Sequence, residues 1–359
     1  MKIFYGVQAT GNGHITRARV MAPRLKAAGI EVTYLFSGRA WNKLFEMEVF
    51  GDYEWRCGLT FSTKAGRVSY LKTGFRNNLL QFIRDIKSLD FSRYDAVITD
   101  FEPVTAWAAK LQNIKAIGLG HQYAFGQAIP ITGDDILARS IMKYFAPAAT
   151  GLGLHWYHFE QPILPPIIET PKVETIKADK ILVYLPFERI QDIVRLLERF
   201  KKYQFYIYTS STIQHKPDHI HIRQLSRSGF QNDLKDAAGV ICNAGFELAS
   251  ESLQMGKKLL VKPLRAQMEQ LSNALALEET QLGAVMPELD PVAVDFWLKH
   301  GRAIKVTYPD VAQAIVEWLL KGDWRVDLAW VRSVWDQVVY HDCATDHPCP
   351  PPRLLHAAN

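Results

Sequence analysis

The most constraining feature of the chain is an alternation of short apolar runs with amphipathic stretches, which occurs twice. In the first half, "MKIFYGV", "EVTYLFSG", "DAVITD" and "KAIGLG" have the pattern of strands, and helical patterns lie between them. In the second half, "KILVYLP", "YQFYIYT", "HIHIRQL", "GVICNAG" and "KLLVKPL" repeat this arrangement. Continuous apolar strands separated by helices are typical of a parallel sheet covered on both faces. The sequence therefore predicts an α/β protein made of two doubly wound units.

A proline-rich stretch separates the two units. The segment "QPILPPIIETPKVE" contains four prolines and predicts an extended linker. We expect an N-terminal domain at 1–165, a linker at 166–174, a C-terminal domain at 175–308, closing helices at 309–340 and a tail at 341–359. Its last part, "HPCPPPRLLHAAN", shows no periodicity and is expected to be poorly ordered. Two such units predict a cleft between them, where the carboxyl ends of the strands converge on a ligand.

Composition limits the functional classes. The 359 residues carry a formal net charge of +5, which suits an anionic small ligand or an anionic membrane surface and is too weak to indicate nucleic acid. The chain has no apolar run of transmembrane length, and its apolar N-terminal run is too short for a signal peptide. Its four cysteines do not form a disulfide scaffold. These observations predict a cytoplasmic protein with reduced thiols.

The second half contains two motifs that suit a nucleotide sugar. In "ICNAGFELASESLQMG", Asn243 and Gly245 form a turn between a strand and a helix, where backbone N–H groups can meet a pyrophosphate. Glu251 lies further along that helix and can accept hydrogen bonds from a ribose diol. In "VKPLRAQMEQLSNALALEETQLG", Glu269 and Gln270 begin a helix and can bind sugar hydroxyls. A tight turn and an ordinary first-turn pattern explain the same residues without a ligand.

Taken in this order, the motifs resemble the C-terminal domain of nucleotide-sugar glycosyltransferases with the GT-B fold. That superfamily includes the lipid-II-forming N-acetylglucosaminyltransferases and the UDP-glycosyltransferases. The start "GNGHITRA" is similar to the G-x-G-H-x-x-R-A start of a bacterial and archaeal group of the superfamily. The resemblance covers residues 1–320 and implies two Rossmann-like domains that face a central cleft.

The resemblance implies a nucleotide-diphosphate sugar, UDP-linked, as the donor substrate. It implies neither a cofactor nor a metal ion, because helix N-termini and glycine turns can carry the charge of the leaving diphosphate. The loop "LSRSGFQNDL" would hold the base, with Phe230 beside it and Arg227 near the phosphates, although Phe230 could equally be a core anchor. The implied donor-binding residues are Gly13, Arg227, Phe230, Asn243, Gly245, Phe246, Glu251, Glu269, Gln270 and Asn273.

His14 is the candidate catalytic base. The resemblance places it at the cleft, and a helix N-terminus disfavours the imidazolium and so keeps the ring a neutral base. An inverting transfer needs such a base for the acceptor hydroxyl, and Asp100 would orient the ring. A positioning or purely structural role for His14 stays open. The predicted acceptor-binding residues are Arg17, Glu102, His121 and Gln122.

The sequence indicates only the chemical class of the acceptor. The basic and apolar segment 54–90 suits a lipid-linked acceptor at an anionic membrane face, in a protein that is peripheral on the inner side of the membrane. A glycan acceptor and an ordinary solvated insertion are the alternatives. His341, Cys343, His347 and Cys349 do not have the spacing of a standard zinc site, so no metal is predicted there.

Two other functions share the same fold and donor site. A UDP-sugar 2-epimerase would need carboxylates for elimination inside the cleft and would have no acceptor pocket. A non-catalytic nucleotide-sugar-binding protein would keep Glu251 but would not use His14. The sequence leaves these alternatives open.

Overall fold

The computed structural model describes residues 1–60, 78–133, 136–169, 174–343 and 347–352, together with the backbone at 63–64 and 67–68. The strands are β1 (Lys2–Gln8), β2 (Glu31–Ser37), β3 (Tyr53–Trp55), β4 (Thr63–Lys64), β5 (Arg67–Val68), β6 (Ala96–Asp100), β7 (Ile117–Gly120), β8 (Thr150–Leu154), β9 (Ile163–Leu164), β10 (Lys177–Tyr184), β11 (Gln204–Tyr208), β12 (Ile220–Arg223), β13 (Ala237–Asn243), β14 (Lys258–Lys262), β15 (Ala284–Val285), β16 (Ile304–Thr307), β17 (Val339–Asp342) and β18 (His347–Pro348).

The helices alternate with these strands. They are α1 (Asn12–Ala27), α2 (Leu79–Lys87), α3 (Pro103–Leu111), α4 (Ile136–Tyr144), α5 (Ile190–Leu197), α6 (Arg227–Asp236), α7 (Phe246–Gln254), α8 (Met268–Glu279), α9 (Pro291–His300), α10 (Val311–Lys321) and α11 (Leu328–Trp335). None of the helices in the described ranges has the length and apolar character needed to cross a bilayer.

The N-terminal sheet is parallel throughout, with the strand order β3-β2-β1-β6-β7-β8-β9. Strands β6 and β7 are buried along their whole length, as expected for strands covered by helices on both faces. The strand order reverses between β1 and β6. At such a switch point the loops after the two strands diverge and leave a crevice for a ligand.

The C-terminal sheet repeats this design with the strand order β12-β11-β10-β13-β14-β15, also parallel throughout. Its strand order reverses between β10 and β13, and the turn predicted to meet the pyrophosphate follows β13. The two parallel sheets confirm the predicted α/β fold class with two doubly wound, Rossmann-like domains.

The last two helices, α10 and α11, pack against the N-terminal domain. In α11, the indole N–H of Trp335 donates to the Ile163 carbonyl at 2.7 Å. Helix α10 packs along α1, where the Arg24 guanidinium forms an ion pair with Asp310 at 2.9 Å. The closing segment therefore packs back across the molecule rather than extending the second domain.

Residues 347–349, at the start of the segment expected to be poorly ordered, pair with a strand, in contrast to the expectation. Strand β17 pairs antiparallel with β16 and β18, and the Cys349 N–H donates to the Tyr340 carbonyl at 2.9 Å. The reason is that β16 offers free backbone groups for pairing, which a search for periodicity does not detect. Residues 344–346 and 353–359 lie outside the described part of the chain, as do the His347 side chain and linker residues 170–173.

Candidate active site

Two helices that contact each other across the domain boundary begin without a side-chain cap. Gly11 precedes α1 and Gly245 precedes α7, and neither end has a side-chain hydrogen bond to its first-turn N–H groups. Such N–H groups and the helix dipole favour an anion. Gly245 has a φ of −78°, which any residue can adopt, and a Cβ there would meet no atom within 4 Å. Its lack of a side chain therefore leaves open space in front of the turn.

His14 and Asp100 form a close pair at the switch point of the N-terminal sheet. The Nδ1 atom of His14 lies 2.6 Å from Oδ1 of Asp100. Burial raises the pKa of Asp100, but the charges of Arg17 and His14 outweigh burial and keep it below its usual value. An ionised carboxylate only accepts hydrogen bonds, so Nδ1 carries a proton, and in the neutral ring Nε2 is the nitrogen with the lone pair. The His14 side chain is 14% exposed, whereas Asp100 is fully buried.

Arg17 holds the other side of the Asp100 carboxylate. Its Nε and Nη2 atoms donate to the two Asp100 oxygens at 2.8 and 2.7 Å, and Nη1 donates to Glu247 of the other domain. The side chain is only 2% exposed. Arg17 lies one turn after His14 and therefore points to the same buried face. The structure corrects the prediction that Arg17 binds the acceptor, because its guanidinium is occupied by protein carboxylates.

Glu247 is a site residue that the sequence analysis missed. It lies in the first turn of α7, where acidic residues are common, so the sequence gave no reason to single it out. A Cβ on Gly13 would lie 2.7 Å from the Glu247 Cγ. Gly13 was predicted to bind the donor, but in the structure it makes room for this protein side chain. Burial raises the pKa of Glu247 to about 8, although Arg17 acts in the opposite direction.

Aromatic side chains from both domains meet beside these charged groups. The rings of His121 and Phe246 stack with centroids 4.1 Å apart, and Trp156 packs against both. His121 also contacts the Leu154 carbonyl through Nδ1 and Asn273 Oδ1 through Nε2, at 2.8 and 2.6 Å. These residues are buried within the domain boundary, since apolar rings gain most by excluding water.

This packing corrects three predicted roles. His121 is not at an open acceptor surface, and Phe246 is not at an open donor surface. Asn273 is fully buried, and its amide donates to the Ala244 carbonyl at 2.9 Å while its oxygen contacts His121. It therefore fixes the turn after β13 from behind, rather than facing a ligand.

Glu102 is corrected for a similar reason. Its carboxylate accepts from the Val104 and Thr105 N–H groups at 2.8 and 2.7 Å and caps α3. It also accepts from the Ser37 hydroxyl at 2.6 Å and is fully buried. This is a helix-capping role, so we drop Glu102 from the acceptor site.

The predicted sugar-binding residues lie where the two domains touch. The Gln122 amide donates to Glu269 Oε1 at 3.2 Å, which joins a predicted acceptor residue to a predicted donor residue. Gln270 accepts from the Leu264 N–H at 3.0 Å and thus holds the proline loop in place. Within the described part of the chain, three buried amide oxygens have no hydrogen-bond partner, and they belong to Gln122, Asn243 and Gln267. Such acceptors suit the hydroxyl donors of a sugar.

A cavity of about 340 Å³ opens at the carboxyl ends of β11 and β12. It is lined by Tyr208, Arg223, Gln224, Ser226, Gly229, Asn232 and Asp233, most of which belong to the predicted base-binding loop and the helix after it. Phe230 does not line the cavity but packs edge-on against Tyr208, with ring centroids 5.1 Å apart. Tyr208, which the sequence analysis did not single out, is therefore the aromatic residue that faces this space.

Two further predicted donor residues lie on, or contact, the helix that lines part of the cavity. The Gln231 amide donates to Glu251 at 3.2 Å, and burial raises the pKa of Glu251 to about 7. Glu251 thus lies between the helix of the base-binding loop and the uncapped start of α7. Arg227 begins α6 and forms ion pairs with Glu169 at 2.9 Å and Glu46 at 3.6 Å. It is partly exposed and reaches across to the N-terminal domain.

A comparison with family profiles shows to which protein family the chain belongs. Residues 1–300 match the profile described as glycosyl transferase family 1. The chain belongs to this family. It is therefore a glycosyltransferase, which is the first of the functions that the sequence had left open. No protein in the curated collection of sequences matches the chain.

Solved structures share its fold. The calicheamicin glycosyltransferase CalG4 superposes with a TM-score of 0.55 at 15% identity, over 93% of this chain and 96% of that one. The spinosyn rhamnosyltransferase SpnG gives 0.57 at 13% identity, over 93% and 100%. The glycosyltransferase VinC, solved with dTDP, gives 0.55 at 13% identity, over 94% and 98%. These matches confirm the GT-B fold for the family 1 enzyme.

Proposed function

We propose that this glycosyltransferase moves a sugar from a UDP-linked donor to an acceptor hydroxyl, with inversion and without a metal ion. The observation that carries the proposal is the His14–Asp100 pair, 2.6 Å apart, in the N-terminal domain. Through Arg17 it is linked to α7 of the second domain, whose first turn is uncapped. The residues that we propose as the base and as the anion-binding helix end therefore lie at one boundary.

The donor would bind along the C-terminal domain. Its base would enter the cavity faced by Tyr208, its ribose would bond Glu251, and its diphosphate would lie at Gly245. The unpartnered amide oxygens of Gln122 and Asn243 would accept from sugar hydroxyls. VinC was solved with dTDP, so dTDP-sugars belong beside UDP-sugars among the donors to test.

The base would come from the other domain. Nε2 of His14 would take the proton of the acceptor hydroxyl as that oxygen attacks the anomeric carbon and the bond to the diphosphate breaks. Asp100 stabilises the imidazolium that forms and keeps the ring in the required tautomer. One displacement from the face opposite the diphosphate inverts the anomeric centre. The first-turn N–H groups of α7 would stabilise the leaving diphosphate, which is why we propose no metal.

The acceptor would be presented at an anionic lipid surface, or be a glycan. In the described part of segment 54–90, α2 exposes Leu79, Leu80 and Ile83, and Arg84 and Lys87 are exposed on the same helix. Exposed aliphatic and cationic residues on one helix suit an anionic membrane face. This arrangement supports a peripheral position on the cytoplasmic side of the membrane, which is part of the proposal.

The experiment is a transfer assay with a defined panel of donors. The protein is incubated with UDP-glucose, UDP-N-acetylglucosamine, UDP-galactose and dTDP-glucose in the presence of a bacterial lipid extract. Mass spectrometry is expected to find free nucleoside diphosphate and a product heavier by one sugar residue. Addition of EDTA should leave the rate unchanged. Absence of both products with every donor would overturn the proposal.

A further inference from the structure

The side chain that links the two domains at the base is Arg17. Its guanidinium donates twice to Asp100, at 2.8 and 2.7 Å, and its remaining nitrogen donates to Glu247 Oε1. Asp100 and Arg17 come from the N-terminal domain, whereas Glu247 comes from α7. A guanidinium held by two carboxylates in a fixed fork cannot rotate without losing contacts on both sides. The orientation of Arg17, and with it that of Asp100, therefore depends on the position of α7.

The Glu247 side chain that makes this contact is confined by the neighbouring backbone and is not a mobile surface side chain. The Glu247 Cγ lies within 2.7 Å of the place where a Cβ on Gly13 would stand, so the chain of Glu247 passes directly over the turn before His14. Glu247 Oε1 is taken by Arg17, and Oε2 is buried with no partner among the described residues. The side chain is thus held at the boundary by one specific hydrogen bond.

We propose that Glu247 is a positioning residue, which acts through Arg17 to hold the Asp100 carboxylate against His14 when the donor-binding domain is in place. The proposal rests on the proposed function, since it assigns His14 as the base. It explains why a helix end that would receive a diphosphate carries a carboxylate. The Oε1 atom of Glu247 accepts from Arg17 of the other domain. This contact couples donor binding to the orientation of the His14 base.

The protonation of Glu247 supports the same role. Burial raises its pKa to about 8, although Arg17 acts in the opposite direction, and this rise weakens the repulsion between the side chain and a diphosphate. An oxygen of the Glu247 side chain accepts from Arg17 whether the group is protonated or ionised, and a glutamine amide oxygen would do the same. The charged and titratable groups that interact with Glu247 are Arg17 on α1, Asp100 at the end of β6, Tyr5 on β1 and Glu251 on α7 itself.

The test measures hydrolysis of the donor by water, which needs the base but not the unknown acceptor. The probe is the nucleotide sugar of the panel above that raises the Tm most, and kcat and KM are measured for the full chain. Glu247→Ala should lower kcat on the order of 10- to 100-fold and change the donor KM little, because the base is misplaced while the donor site is kept. Glu247→Gln should restore most of the lost kcat.

Two variants separate this role from general loosening of the boundary. Ser250→Ala, also on α7, removes the 2.8 Å hydrogen bond from Trp156 of the other domain and should leave kcat near that of the wild type. Arg17→Lys should behave like Glu247→Ala, because a lysine cannot bridge two carboxylates in a fork. This variant also provides the measurement if Glu247→Ala does not fold.

The outcomes are distinct. An unchanged kcat in Glu247→Ala, an equal loss in Ser250→Ala, or failure of Glu247→Gln to restore kcat would each overturn the inference. A rise in KM without a fall in kcat would also overturn it, since Glu247 would then act on the donor. If the wild-type protein neither binds nor hydrolyses any nucleotide sugar of the panel, the proposed function itself fails instead.

Discussion

The Nδ1 atom of His14 lies 2.6 Å from the Oδ1 atom of Asp100, although 86 positions separate the two residues in the chain. The contact forms because β1 and β6 are neighbours in the sheet, and the two residues follow and end these strands, respectively. Carboxyl ends of adjacent parallel strands meet at one edge, which is also where the strand order reverses. The pair therefore occupies the position from which a base can face the second domain.

Replacing the base should separate catalysis from donor binding. In His14→Ala, hydrolysis of the donor is expected to fall on the order of 10²- to 10⁴-fold, the usual contribution of a general base. The rise in Tm caused by the donor should remain, because no predicted donor contact is removed. Both are measured on the same protein, by product formation and by thermal unfolding. A lost thermal shift would instead make His14 a donor contact.

Two glycines near the cleft should respond in opposite ways. Gly13→Ala places a Cβ against Glu247 and should lower the free energy of unfolding by about 1–3 kcal/mol, as overpacking does. Gly245→Ala meets open space, so the free protein should keep its stability to within about 1 kcal/mol, but the donor-induced rise in Tm should shrink. Thermal unfolding with and without UDP checks both. These assignments would be contradicted if Gly13→Ala were as stable as the wild type. They would also be contradicted if the donor-induced rise in Tm of Gly245→Ala equalled that of the wild type.

The raised pKa of Glu247 makes the stability depend on pH. The folded state keeps the Glu247 proton up to about pH 8, whereas an unfolded chain releases it near pH 4.5. The stability that this proton contributes is therefore complete below pH 4.5 and is lost as the pH rises toward 8. The Glu247→Gln variant does not lose stability in this way, because glutamine does not titrate. The stability of the wild type relative to that variant should therefore fall by on the order of 1 kcal/mol per pH unit in this range. Urea unfolding of both proteins at several pH values measures the difference, and a constant difference would refute it.

The exposed face of α2 should contribute to binding at anionic lipid. Leu80→Glu combined with Ile83→Glu is expected to reduce co-sedimentation with phosphatidylglycerol vesicles, since it places charge in the apolar part of that face. The donor-induced rise in Tm should be unaffected. Val292→Glu, at an equally exposed apolar site on α9, is the matched control and should sediment like the wild type. Equal binding by all three proteins would remove the membrane from the proposal.

The sequence was sufficient for the fold because its signals are local. Apolar runs, amphipathic periods and the turns at Gly13 and Gly245 each depend on a few neighbouring residues, and together they predicted both sheets. His14 and Asp100 could be paired because each lies next to the carboxyl end of a recognisable strand. The family resemblance then supplied the orientation of the two domains toward a cleft.

The rest of the site depends on which side chains meet across the domain boundary, and no local pattern encodes that. Arg17 and Glu247 are 230 positions apart, and each has an ordinary alternative on a helix surface. His121 and Phe246 were predicted to contact ligands, but their rings stack on each other instead. The order in the tail was missed because it depends on backbone pairing with β16.

The most direct test is the melting temperature of the wild-type protein in the presence of each nucleotide sugar of the panel, with Glu251→Gln as the matched variant. The account predicts that at least one UDP-sugar raises the Tm, because the ligand binds only the folded state. It also predicts a smaller rise in Glu251→Gln, whose amide replaces the carboxylate expected to bond the ribose. A Tm that no nucleotide sugar changes, or an equal rise in both proteins, would contradict the assignment of the donor site.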